Sequence, residues 1–163
     1  MTARSQPPLL SRLLGAVLIV ALCPLWISLI LLVLLSQLIY AAFIYCLVWF
    51  WCIPRGKYFL FVSSQSPNWH DYMQSQILPL VTEHAFVLDY SERETWRNWS
   101  LPVLLFRFFG GVHNFNPMVV RFYRFGLAHT IRFRRGFIEA KHGKPEELES
   151  LRVELVSVVK ESL

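Results

Sequence analysis

Residues 13–53 read LLGAVLIVALCPLWISLILLVLLSQLIYAAFIYCLVWFWCI, 41 consecutive positions without an acidic or basic side chain apart from cysteines and tyrosines. About 20 apolar residues in a helix cross the hydrocarbon core of a bilayer once. One straight helix over the whole stretch would run roughly 60 Å, about twice that thickness. The stretch must therefore turn, or part of it must leave the bilayer. Pro24 removes a helical donor, but a break there leaves 13–23, which is too short to span. Ser36-Gln37 is the one adjacent polar pair in the stretch. A break there leaves 13–35, which spans easily, and 38–53, which spans barely. The expectation is an N-terminal tail (1–12) and a tight membrane hairpin over about 13–35 and 38–53, with a re-entrant hairpin in one leaflet as a second form. Trp49, Trp51 and Tyr58 would mark the returning interface.

The flanking charges fit that topology. Arg4 and Arg12 precede the stretch, and Arg55 and Lys57 follow it. Basic flanks face the cytoplasm, so a hairpin with both ends inside satisfies the bias twice. The domain after residue 55 is accordingly expected in the cytoplasm. Arg12 and the run up to Cys23 share the outline of a signal peptide. Leu22 is too bulky for the residue before a lipoprotein cysteine, and apolar sequence continues well beyond it. Cleavage is not the expected reading.

Overall composition agrees with a membrane protein. The chain of 163 residues is 55% hydrophobic and 17% charged, against about 25% charged in soluble domains. That balance argues against a disordered chain and an ordinary soluble one. Three cysteines exclude a disulfide-dense scaffold.

Residues 55–163 suffice for one small domain. Tyr58–Val62 reads as a strand buried on both faces. Ser63-Ser64-Gln65-Ser66 is a polar loop, with Ser66 a natural helix cap and Pro67 suited to the first helical position. Trp69, Met73, Ile77 and Leu80 recur at helical spacing, which predicts a helix over 67–82. Ala85–Asp89 reads as a second buried strand, and 90–99 as a polar loop or exposed turn. Ser100 opens a short apolar helix that Gly110-Gly111 ends. Asn116-Pro117 punctuates the chain before an antiparallel hairpin, 118–125 and 129–134. Pro145 starts a last helix, with Glu146, Glu147 and Glu149 complementing its dipole and an apolar stripe through Leu148, Leu151, Leu155 and Val158.

The order is β-α-β-α-β-β-α. A helix between the first two strands implies a parallel crossover. This α/β order resembles the thioredoxin-like fold, and the resemblance covers nearly all of 55–163. That family places a cis-proline just before its third strand, facing the active-site loop, and Pro117 stands in that position. The resemblance implies a Cys-x-x-Cys at the start of the first helix, where the thiol pKa is lowered. Here that position reads Ser63-Ser64-Gln65-Ser66-Pro67, and no cysteine follows Cys52. Dithiol exchange by this domain is excluded. The resemblance then implies a redox-silent module kept for binding or scaffolding, without a cofactor.

Candidate sites follow. Ser63, Ser64, Gln65 and Ser66 lie between a strand end and a helix start, where free backbone N–H groups can meet an anion or a peptide. Pro117 would stand opposite. The plainer account is a cap and a solvated loop. Trp96 and Trp99 sit in a polar stretch and suit a partner surface, unless they fold back over the core. Arg55, Lys57, Arg132, Arg134 and Arg135 are candidates for contact with anionic lipid headgroups, Arg132 and Arg134 sharing one strand face. A membrane or cytoplasmic protein is the expected partner beside the lipid bilayer. Nucleic acid is not expected, since the final helix is net acidic and the tether restricts access. The five histidines are too scattered for a metal site. A Ser64–His70–Asp89 triad lacks a nucleophile elbow, and no catalytic residue is assigned. The rival readings are a membrane-bound transferase or hydrolase using the serine loop, and an accessory subunit of a larger membrane complex. Asn98-Trp99-Ser100 is a glycosylation sequon, usable only outside the cytoplasm.

Overall fold

The computed structural model describes residues 9–111 and 116–161, with side chains from Cys23 onward. Residues 1–8 of the expected tail, His113, and the last two residues lie outside the described part. The chain divides into two compact units, Met1–Ala42 and Phe43–Leu163.

The first helix, α1, runs unbroken from Leu9 to Leu47. The turn expected at Ser36-Gln37 is not formed. Neither residue breaks a helix, and the Ser36 hydroxyl bonds back to the Val33 carbonyl at 2.7 Å. Pro24 is also held inside α1, and the Ser28 hydroxyl donates to the Pro24 carbonyl at 2.7 Å. Cys23 to Tyr40 are exposed throughout. By length and composition, the helical stretch from Cys23 is long and apolar enough to cross a membrane.

The second unit begins inside the apolar stretch. Ile44, Val48 and Cys52 are spaced by four and are fully or almost fully buried, together with Ile53. They belong to the domain core, so the boundary expected at residue 55 falls within this unit. The helical path continues past α1 through a π turn, Val48–Cys52, and a 3-10 turn, Ile53–Arg55, which Gly56 ends at φ +71°. A second π turn, Met73–Ile77, joins two short helices, α2 (His70–Tyr72) and α3 (Leu78–Val81). Both π turns stop two residues before a proline, Pro54 and Pro79. Proline cannot donate to the carbonyl four residues back and its ring crowds that carbonyl, so the local helix widens.

Four strands form one sheet in the order β2-β1-β3-β4. β1 (Phe59–Ser63) is central and runs parallel to β2 (Ala85–Asp89), as the intervening helices require. β3 (Met118–Arg121) is antiparallel to both β1 and β4 (His129–Arg132). Strand alternation divides the core. Phe59, Phe61, Val119 and Ile131 face Met73, Ile77 and Val81, with Leu148, Leu155 and Val158 of α6 (Glu146–Lys160). Leu60, Val62, Met118 and Val120 face Ile44, Val48 and Cys52, with Leu105 and Phe106 of α4 (Leu101–Phe109). The domain is therefore three-layered, and the end of the apolar stretch supplies part of one layer.

The arginine hairpin differs from expectation. β4 stops at Arg132 because Phe133 turns into helical geometry, its N–H donating to the Pro117 carbonyl at 3.0 Å. Arg134 and Arg135 start a helix, α5 (Arg134–Lys141), and do not share a strand face with Arg132. α5 crosses α6 closely at the buried Gly136. A Cβ there would stand 3.1 Å from the Leu148 Cα.

Candidate functional site

The serine loop leaves the end of β1 and enters the first helical turn, where the Ser66 carbonyl accepts from the Trp69 and His70 N–H groups. The Ser64 hydroxyl oxygen accepts from Trp69 Nε1 at 3.1 Å and from Asn116 Nδ2 at 2.8 Å. It thereby ties the loop to the segment before β3, 52 residues away in sequence. The next residue, Gln65, is exposed and reaches towards β2. Its amide side chain donates to Asp89 Oδ2 at 2.8 Å, and its backbone N–H donates to the Ser91 hydroxyl at 2.9 Å. The other Asp89 oxygen caps the following 3-10 turn by accepting the Ser91 N–H at 2.8 Å. Three segments are thus fastened around the loop.

Pro117, which follows a cis peptide bond after Asn116, is buried. The polar contact to the loop comes from Asn116 instead. Ser63 is buried, and its hydroxyl has no hydrogen-bond partner among the described residues. His70 Nδ1 is likewise buried without a partner among those residues. Both residues line a cavity of about 20 Å³ under the loop, with Gln74 and Asp89. That is room for about one water molecule, and a hydroxyl and an imidazole nitrogen are suitable partners for one.

No hydrogen bond among the described residues links Ser64 to His70 or His70 to Asp89. Ser64 is held by Trp69 and Asn116, and both Asp89 oxygens are held by Gln65 and Ser91. No cluster of three metal-ligating side chains occurs among the described residues.

Beside the loop, Trp69 forms one wall of a groove of about 570 Å³. Phe137 and Ile138 of α5 line it, and Asn68, Arg134 and Lys141 add polar and basic groups. Trp69 and Phe137 stand 6.1 Å apart between ring centroids.

The two tryptophans separate. Trp96 folds back, its ring edge-on to Phe106 at 5.3 Å and to Tyr90 at 6.0 Å. Trp99 is 88% exposed. The basic residues also separate. Lys57 Nζ donates to the Glu83 and Ala85 carbonyls at 3.1 and 3.2 Å, so it serves the domain. Arg55 lies over the Trp51 ring at 3.6 Å. Arg132 donates to the Gly110 carbonyl at 3.3 Å, and Arg135 pairs with Glu147 at 3.3 Å. Arg121 is buried and donates to the Val158 carbonyl and to Glu161, fastening β3 to the end of α6.

Sequence reasoning missed Trp69 and Asn116 as site residues. The helical spacing places Trp69 only on an apolar stripe. The signal for Asn116 was a short polar side chain directly before a proline that opens a strand.

Comparison with protein-family models, with curated proteins and with solved structures gave no match.

Proposed function

We propose that this chain is a membrane-anchored, non-catalytic module of thioredoxin-like type that holds a protein partner at the membrane surface. The resemblance draws support from the parallel β1–β2 crossover, the antiparallel β3–β4 pair closed by a terminal helix, and the cis Asn116–Pro117 bond before β3. The observation that carries the binding reading is the engagement of Ser64. Its oxygen accepts two hydrogen bonds, and among the described residues no base is bonded to it. A nucleophile needs a base within reach, whereas a rigid polar ridge beside an apolar groove suits recognition. The contact surface comprises Ser64, Gln65, Ser66 and Trp69, with the adjoining groove. Its apolar walls and its Arg134 and Lys141 suit a segment that pairs a hydrophobic side chain with an acidic one.

The same proposal puts the domain on the cytoplasmic side. The support is the basic pair Arg55 and Lys57 directly after the apolar stretch. The exposed Asn98 reports the alternative, since it is glycosylated only if the domain enters the secretory lumen.

Full-length protein carrying a benzophenone amino acid at Gln65 or Ile138 tests the binding reading in native membranes. A discrete protein adduct is expected at both positions and not at Val153 on α6. Trp69→Ala should abolish it while the domain stays protease-resistant. Adducts no different from those at Val153 refute the reading.

A further inference from the structure

The connection between β3 and β4 reads Phe122-Tyr123-Arg124-Phe125-Gly126-Leu127-Ala128. Phe125 is 83% exposed and Leu127 is 78% exposed. Two large apolar side chains at one loop tip are a surface that a protein in water would bury. Their position narrows what could cover them. The Phe125 ring lies 6.3 Å from that of Trp49, and the Ala128 N–H donates to the Tyr45 hydroxyl at 3.4 Å. The loop therefore rests against the last turns of the apolar helical stretch, where that stretch joins the domain.

The same level carries other groups suited to a bilayer interface. Phe50 is 75% exposed and Trp51 is 51% exposed, with Arg55 stacked on the latter. Aromatic rings next to basic side chains are the usual composition of the headgroup region. Arg124 is exposed between Tyr123 and Phe125, and the segment from Phe122 to Ala128 carries no acid.

We propose that the β3–β4 loop is a second membrane contact. Phe125 and Leu127 enter the acyl boundary of the leaflet that α1 leaves, and Arg124 meets anionic lipid phosphates. The chemistry is that of an interfacial anchor, apolar insertion combined with attraction to negative headgroups. It moves the lipid-facing surface from Arg132, Arg134 and Arg135 to the loop tip. It rests on the reading of α1 as a membrane span.

The test uses the full chain in vesicles of phosphatidylcholine and phosphatidylglycerol with alkyne-tagged acyl chains. A benzophenone amino acid is placed singly at Phe125, Leu127, Leu38 and Val153. Lipid adducts at 125 and 127 should match that at Leu38 and exceed that at Val153 several-fold. Arg124→Glu should lower the adduct at 127 several-fold without changing that at Leu38. Adducts at Leu38 but none above background at 125 and 127 overturn the loop contact and leave the membrane span standing. No adduct at Leu38 overturns the span and the loop contact with it. A protein–protein adduct at 125 in place of lipid overturns the proposal in favour of a second copy of the chain.

Discussion

Ile44→Ala should destabilise the sheet domain, although Ile44 lies in an apolar stretch that composition alone assigns to the membrane. Ile44 is fully buried, in one cluster with Val48, Leu60, Val120 and Phe106. The change removes about three carbon atoms from that layer, worth about 2.4 kcal/mol at about 0.8 kcal/mol each. The residual cavity raises the expected cost to about 3–4 kcal/mol. At about 1.4 kcal/mol per tenfold, the unfolded population should rise by a factor of about 140 to 700. Phe43, one residue earlier, is 53% exposed, and Phe43→Ala should change stability by about 0.5 kcal/mol or less. Pulse proteolysis of the full chain in micelles across a urea series, read at a C-terminal epitope, measures both. Equal shifts for the two variants, or none for Ile44→Ala, would refute the assignment of this stretch to the domain core.

Three further outcomes follow from the packing. Arg121→Ala should cost about 2 kcal/mol, since it removes charge-assisted hydrogen bonds from a buried guanidinium. Glu161→Gln should cost under about 1 kcal/mol, because that carboxylate is largely exposed. Equal urea midpoints for the two variants would sink this account. Gly136→Val should destabilise by about 1–3 kcal/mol, because its side chain meets the backbone of Leu148; a variant as stable as the parent in the same assay would show that α5 can move off α6. Burial, and then the Glu149 carboxylate, push the Tyr72 hydroxyl above its ordinary value of 10.0, with Arg152 opposing. The fold thus favours the neutral phenol. That contribution is complete below the unfolded value and is lost as pH rises through the folded one. Tyr72→Phe should lose stability less steeply than the parent above pH 10, and parallel pH profiles would contradict the assignment.

Much of the domain was legible because punctuation and buried runs coincide. Ala85–Asp89 stands between turns as an apolar run, Pro117 directly precedes β3, and Pro145 directly precedes α6. α5 was not legible, because RRGFIEAK has little apolar content and a glycine at the point of closest helix contact. The role of Ile44, Val48 and Cys52 was hidden for the opposite reason. Their neighbours are also apolar, so a core-facing stripe cannot be told from a lipid-facing one by periodicity. Ser36-Gln37 looked like a break only because its surroundings are so apolar. At the site, the loop was visible from its serines. Its fastening to Asn116 was not, because that contact spans the whole sheet connection.

On the reading of α1 as a membrane span, the helical path from α1 through the π turn into Ile53 has a consequence for how the domain could be released. Many anchored domains hang on an exposed tether that a protease can cut, leaving a folded soluble form. Here the residues just after the exposed helix are already the inner layer of the domain. A fragment beginning at Arg55 would leave behind Ile44, Val48, Cys52 and Ile53 and uncover the face of Leu60, Val62 and Val120. A cut after Ile53 therefore removes part of the core, whereas a cut before Phe43 would keep these residues with the domain.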